Sequence, residues 1–189
     1  MLTLTPKHSI HPVLIGAINV GSGNRPPWAL PAKAAHVTLE LGRAARAAGL
    51  PPLQPPSDLF ARARTQIAMR ALLRVKELFP PSDDGRYLAA LAHFFRAFWA
   101  LDRDLTTSEG VAQALREVRS EVAVGGDGGA PLFSPEQVAD VVRAAGSEEC
   151  KVALKRNTEE ALRRGAFGCP WFWVADGKGR EEPFFGSDR

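Results

Sequence analysis

Three pieces of the C-terminal third carry the fold: Thr158-Glu159-Glu160, then Gly165-Ala166-Phe167-Gly168-Cys169-Pro170, then Phe185-Gly186-Ser187-Asp188-Arg189. The first lies in a stretch from about Glu148 to Arg164 with helical character. Glu159 and Glu160 stand four residues before Arg163 and Arg164, the favourable order for helix ion pairs. Gly165 ends that helix, and the period changes. Pro170 to Val174 has the aromatic and β-branched composition of a strand, Ala175 to Arg180 that of a turn, and Pro183-Phe184-Phe185 that of a second strand, so a hairpin is expected.

Working upstream, Ser134-Pro135-Glu136-Gln137 is a helix start, with a capping serine, proline at the first helical position and glutamine three residues on. That helix should end at Gly146. Before it, Gly125-Gly126-Asp127-Gly128-Gly129 lacks the Lys-Ser/Thr of a phosphate loop and reads as a flexible hinge. It breaks a helix that starts near Thr107-Ser108 and carries Val111, Ala114, Leu115, Val118 and Val122. An aromatic helix bears Leu88, Leu91, Phe94, Phe95, Phe98 and Trp99, a stripe better suited to a core than to the wall of a ligand pocket. Pro80 to Asp84 separates it from a helix with Leu59, Ala63, Ile67, Ala71, Val75 and Leu78 on one stripe, capped by Ser57 or Asp58.

Pro51, Pro52, Pro55 and Pro56 form a stiff connector behind a helix that begins near Pro31, carries Val37, Leu41, Ala44, Ala45 and Ala48 on one face, and stops at Gly49. The apolar run Val13 to Ile18 leads into the shaped loop Gly21 to Pro27. Met1 to Thr5 alternates Leu and Thr like a half-buried strand. The order is strand, loop, five or six helices, hairpin, which suggests a sheet domain interrupted by a helical insertion.

Composition narrows the function. In 189 residues, 24 Lys+Arg against 21 Asp+Glu leave +3, without the clustered basic excess of a nucleic-acid binder. Cys150 and Cys169 form neither a Cys-x-x-Cys pair nor a zinc half-site, so a reduced, intracellular setting and no metal are expected. The histidines His8, His11, His36 and His93 show no ligand spacing, and His8 and His11 are expected to be exposed. No apolar run has the length of a membrane span, and no targeting signal is visible.

The segment Thr158 to Pro170 with Phe185 to Arg189, together with Ser22-Gly23-Asn24-Arg25-Pro26-Pro27 and Pro31-Ala32-Lys33, strongly resembles kappa-class glutathione transferases and the related 2-hydroxychromene-2-carboxylate isomerases. The helix through Phe94 to Leu105 is similar more loosely. The resemblance implies an α/β, thioredoxin-like fold of the DsbA type with an inserted all-helical domain. Residues 1–50 and 158–189 would form the thioredoxin-like part and 51–157 the insertion. It also implies glutathione and a hydrophobic electrophile as substrates, a homodimer, and a mitochondrial or peroxisomal location, with neither nucleic acid nor membrane as partner.

It implies a glutathione site as well. Cys169 would offer its backbone to the extended peptide as a short strand partner, with Pro170 holding the bend through a cis bond. Lys33 would meet a carboxylate and Asn24 would donate an amide hydrogen. Ser187 would hold the γ-glutamyl carboxylate and Asp188 the amine. Each has a plainer reading: a solvated charge for Lys33, a turn-former for Asn24, helix caps for Ser187 and Asp188, and a buried small hydrophobe for the Cys169 side chain.

The family's Ser-Pro-Tyr-type motif, whose serine stabilises the glutathione thiolate, has no counterpart before Asn24. The first strand, first helix, catalytic serine and last helix are therefore expected to be absent, with no catalytic residue assignable. Phe172, Trp173, Phe184 and Phe185 should then be partly exposed. Transferase activity is the leading expectation. The alternatives are a non-catalytic glutathione-binding remnant, a glutathione-dependent isomerase, and a DsbA-like oxidoreductase, which the missing Cys-x-x-Cys disfavours.

Overall fold

A computed structural model of the chain describes residues 9–26, 29–50, 53, 56, 58–79, 84–120 and 129–186. Among them the order is α1 (Ile15–Ser22), α2 (Pro31–Ala47), α3 (Leu59–Arg62), α4 (Gln66–Leu78), α5 (Asp84–Trp99), α6 (Ser108–Glu117), α7 (Pro135–Ala145), α8 (Glu148–Arg163), β1 (Trp171–Ala175) and β2 (Glu181–Phe185). The Met1–Thr5 alternation, His8, most of the Pro51–Ser57 connector, Pro80 to Asp83, Val122, Gly125 to Gly128 and Ser187 to Arg189 lie outside the described residues.

The core sits between α4, α5, α6 and α7, where Leu72, Val75, Phe94, Phe98, Val111, Leu115, Val138 and Val141 are among the buried side chains. The capping box at Ser134 forms as its sequence predicts: Ser134 Oγ accepts from Gln137 N at 3.3 Å, and Gln137 Oε1 accepts from Ser134 N at 2.8 Å. Thr107 caps α6 through Gly110 N at 3.1 Å. Across the core, Arg74 of α4 donates to Asp140 of α7 from Nε (2.9 Å) and from Nη2 (2.8 Å), which fixes how the two helices face each other.

Three expectations fail for geometric reasons. The stripe from Leu59 to Leu78 does not lie on one helix: it breaks into α3 and α4 at Ala63 to Thr65. A strict four-residue spacing drifts by about 40° per step on a 100°-per-residue helix, so Leu59 and Val75 would face apart without a break. The break re-phases the chain, and α4 buries Ala68, Ala71, Leu72, Leu73 and Val75. Asp58 is the cap of α3, accepting from Ala61 N at 3.1 Å. Second, α6 stops at Glu117, because Val118 turns extended and its carbonyl accepts from Leu132 N at 3.0 Å, while Ser120 N donates to Ala130 O at 3.2 Å. Third, Phe95 is 60% exposed while Phe94 and Phe98 are buried, being turned one residue off their stripe.

The N-terminal apolar run becomes α1, and α8 holds it there. Leu14 N donates to Thr158 Oγ1 at 3.0 Å, and Asn157 Nδ2 donates to Pro12 O at 3.2 Å. Ile18 is fully buried. Gly21 lies so close to α8 that a Cβ there would stand 2.8 Å from Leu162 Cδ1. Along α2 only Ala45 of the expected stripe is fully buried; Val37 and Leu41 are half-buried, and Ala44 and Ala48 are exposed. Gly49, at φ 67°, takes the left-handed conformation that ends the helix.

β1 and β2 pair antiparallel with Trp171 opposite Phe185, Phe172 opposite Phe184 and Trp173 opposite Pro183. Asp176 Oδ1 accepts from Lys178 N at 2.7 Å and Arg180 N at 3.1 Å, closing the turn. Phe172, Phe184 and Phe185 are exposed and Trp173 half-buried, in line with the sequence expectation.

Candidate functional site

The two sequence motifs meet where the loop after α1 reaches the turn between α8 and β1. Gly23, at φ 73°, ends α1, and Ser22 Oγ accepts from Asn24 N at 3.3 Å. That orients the Asn24 amide, which donates from Nδ2 to Phe167 O at 2.6 Å and accepts from Arg25 N at 2.8 Å. Asn24 thus keeps one amide hydrogen beyond the Phe167 bond.

The turn itself is built by close packing. Gly168 is buried with no room for a side chain: a Cβ would stand 2.7 Å from the Phe185 ring. Phe167 packs on Trp171 at 5.5 Å and on Phe185 at 4.6 Å between ring centroids. The Cys169–Pro170 peptide is cis, and Pro170 O accepts from Gly186 N at 3.1 Å. The N–H and C=O of Cys169 take no hydrogen bond among the described residues, and the residue is exposed.

That exposure corrects the expectation of a buried small hydrophobe, because the aromatic rings close around Gly168 and leave Cys169 on the open side. Loss of water to the neighbouring chain nonetheless pushes its thiol pKa up, so it stays protonated at neutral pH and is a poor nucleophile.

α8 clamps the hairpin beside this turn. Glu160 accepts from Arg163 (2.8 and 2.7 Å) and from Arg164 (2.5 Å), and these bonds hold its carboxyl down at about 2. Arg164 lies over the Trp173 ring at 5.0 Å, and Trp173 Nε1 donates to Glu181 Oε2 at 3.0 Å. Glu159 pairs backwards with Lys155 at 3.5 Å instead of with Arg163, whose guanidinium Glu160 has taken.

Of the six residues singled out from the sequence, the structure brings Asn24, Cys169 and Pro170 into one region. Lys33 stands in the first turn of α2, exposed, and bonds to none of those residues. Ser187 and Asp188 lie outside the described residues. Three contributors escaped sequence reading: the Phe167 carbonyl, the Gly168 close approach, and Thr158. The last was legible, since Cys150, Leu154 and Thr158 continue one buried stripe of α8 and a threonine there needs a partner. Trp171 Nε1 is buried and finds no acceptor among the described residues. No cluster of metal-ligating side chains occurs among the described residues, nor is any helix long and apolar enough to cross a membrane.

Comparison with known proteins places this geometry. Residues 7–189 match the DSBA-like thioredoxin domain family. The chain is 30% identical over 180 residues to glutathione S-transferase kappa 1 of Caenorhabditis elegans, covering 94% of this chain and 71% of that protein. It is 28% identical over 183 residues to glutathione S-transferase kappa 1 of Homo sapiens (95% and 73% covered), and 26% identical over 186 residues to the Rattus norvegicus protein of that name (97% and 74%).

Proposed function

Because the chain belongs to the kappa-class glutathione transferases of the DsbA-like thioredoxin superfamily, we propose that it binds glutathione at the Cys169–Pro170 turn and transfers the glutathione sulfur to a hydrophobic electrophile. The observation that carries the reading is the backbone donor and acceptor of exposed Cys169, which take no hydrogen bond among the described residues, two positions after the Phe167 carbonyl held by the Asn24 amide. An extended peptide gains affinity from such a free edge by adding to it as a short strand. The spare Asn24 hydrogen meets a second acceptor on the same ligand. Lys33, Ser187 and Asp188 complete the proposed set, with Lys33 and Ser187 on carboxylates and Asp188 on the γ-glutamyl amine.

In the reaction the thiolate sulfur bonds to an electrophilic carbon and the leaving group departs with its electron pair. The protein contributes position and stabilisation of the thiolate. The division into a thioredoxin-like part (1–50 and 158–189) and a helical insertion (51–157) belongs to the same proposal. So do a homodimer and a mitochondrial or peroxisomal setting. The buried core from Ala68 to Ala145 lies within the proposed insertion.

A second reading, glutathione binding without catalysis, is favoured by one observation. The Ser22 hydroxyl, next in sequence to the Asn24 loop, is already engaged with its own helix end, at Asn19 O and Asn24 N. Thermal unfolding with and without millimolar glutathione, paired with turnover of an activated aryl halide, separates the two. Transfer predicts an upward shift in Tm and conjugation above the uncatalysed rate. Binding alone predicts the shift without the rate. No shift would overturn both.

A further inference from the structure

A second constellation stands where the chain enters the helical core, apart from Asn24 and the Cys169 turn. Ser9 Oγ lies 3.0 Å from His11 Nε2 and accepts from Lys76 Nζ at 2.8 Å. Lys76, on α4, also donates to Ile10 O at 2.7 Å and sits 5.7 Å over the ring of Tyr87, on α5. The Tyr87 hydroxyl donates to the same carbonyl at 3.3 Å. Two helices therefore pin the backbone that carries Ser9 and His11, and both residues remain exposed.

An ammonium only donates, so the Ser9 oxygen accepts from Lys76; in the His11 tautomer that carries its proton on Nδ1, Nε2 is the acceptor at 3.0 Å for the Ser9 proton. A hydroxyl hydrogen-bonded to a neutral imidazole, with a cation beside its oxygen, is the arrangement of an activated nucleophile.

We propose that Ser9 is a nucleophilic hydroxyl with His11 as its general base and Lys76 as the cation beside its oxygen, and that this site takes small activated carboxylic esters. Ser9 Oγ bonds to the ester carbonyl carbon while its proton passes to His11 Nε2. The tetrahedral adduct then collapses, the bond to the alcohol oxygen breaks, and the alcohol leaves with the proton from His11. Water attacks the acyl-Ser9 ester by the same route, which releases the carboxylic acid and restores the hydroxyl. The developing negative charge stands next to the Lys76 ammonium. Partial loss of water around the ring of this otherwise exposed residue, then the charges of Lys76 on α4 and Arg164 at the end of α8, hold the His11 pKa below its ordinary value, which keeps the base neutral. Tyr87, pushed up to about 12 by burial, remains a donor throughout.

The reading is independent of glutathione. Its test treats the full chain with a fluorophosphonate probe, followed by intact mass and peptide mapping, in parallel with release of 4-nitrophenolate from 4-nitrophenyl acetate. The expected result is one phosphonyl group on Ser9 with loss of fluoride, abolished in S9A. Labelling should slow by about a hundredfold in H11A, the usual worth of a positioned base. The ester rate should persist below the ordinary histidine range. Far-UV circular dichroism establishes that S9A and H11A keep the fold. Equal labelling of S9A and the parent chain, a label on another hydroxyl, or an unchanged rate in H11A would overturn the proposal.

Discussion

At the scale of single residues, Asn24 joins the start of the described chain to its end through one hydrogen bond to Phe167 O. Replacing it with alanine removes that bond and the proposed ligand donor together. N24A is expected to lower unfolding stability by about 1 kcal/mol in urea titration, the typical net worth of such a bond, and to weaken glutathione binding in calorimetry. Glycines test backbone approach in the same way. A Cβ on Gly110 would stand 1.6 Å from Asp104 O, a backbone atom fixed by the Asp104–Thr106 turn. G110A should therefore cost about 2–3 kcal/mol, in the range of overpacking. Gly16 meets nothing within 4 Å and lies inside α1. G16A should instead stabilise by about 0.5–1 kcal/mol, because glycine loses more freedom in a helix than alanine. Urea midpoints for both variants check the contrast.

At the scale of elements, α8 organises the candidate site. Its inner stripe meets the core, Thr158 receives the entering chain at Leu14, and its last turn stacks Arg164 on Trp173 of β1. Thr158 is 3% exposed and its hydroxyl donates to Leu154 O at 2.8 Å while accepting from Leu14 N. T158V keeps the shape and leaves the Leu14 N–H without its acceptor, so a loss of about 1–3 kcal/mol is expected. Hydrogen exchange should quicken first in α1, which rests on that contact. Helix starts were readable from local chemistry: Ser134-Pro135-Glu136-Gln137 and Thr107 specify their own capping bonds within three residues. The α3–α4 break and the end of α6 were not, because they follow from which face meets the core and from the Val118–Leu132 pairing between residues fourteen positions apart.

At the scale of the whole molecule, charge couples stability to pH in two steps. His11 and His93 have pKa values lowered chiefly by burial, so the unfolded chain binds their protons more readily than the folded one. Their contribution is present above the ordinary histidine value of 6.5 and is lost as pH falls below it. The carboxylates Asp104, Asp140 and Glu160 are depressed by hydrogen bonds, from Thr106, from Arg74, and from Arg163 with Arg164 respectively. Their contribution is present above their unfolded values and is lost as pH falls through the folded ones, down to about 2 for Glu160. Tm measured against pH should fall in both windows. D140N should start from a lower Tm and lose part of the second fall, because Arg74 then faces a neutral amide.

The family resemblance of the Ser-Gly-Asn-Arg-Pro-Pro loop and the Gly-Cys-Pro turn pointed to the site, and local sequence determined the hairpin and most helix ends. Those features rest on neighbours a few residues apart: glycines at positive φ, capping side chains, and a proline that shapes its own bond. Tertiary structure alone decided that Asn24 holds Phe167, that Gly168 is closed by Phe185 while Cys169 stays open, that Lys33 stands apart, and that Lys76 reaches Ser9. Contacts between residues 67 to 143 positions apart depend on how helices stack, and stacking follows from burial of whole faces rather than from any short pattern.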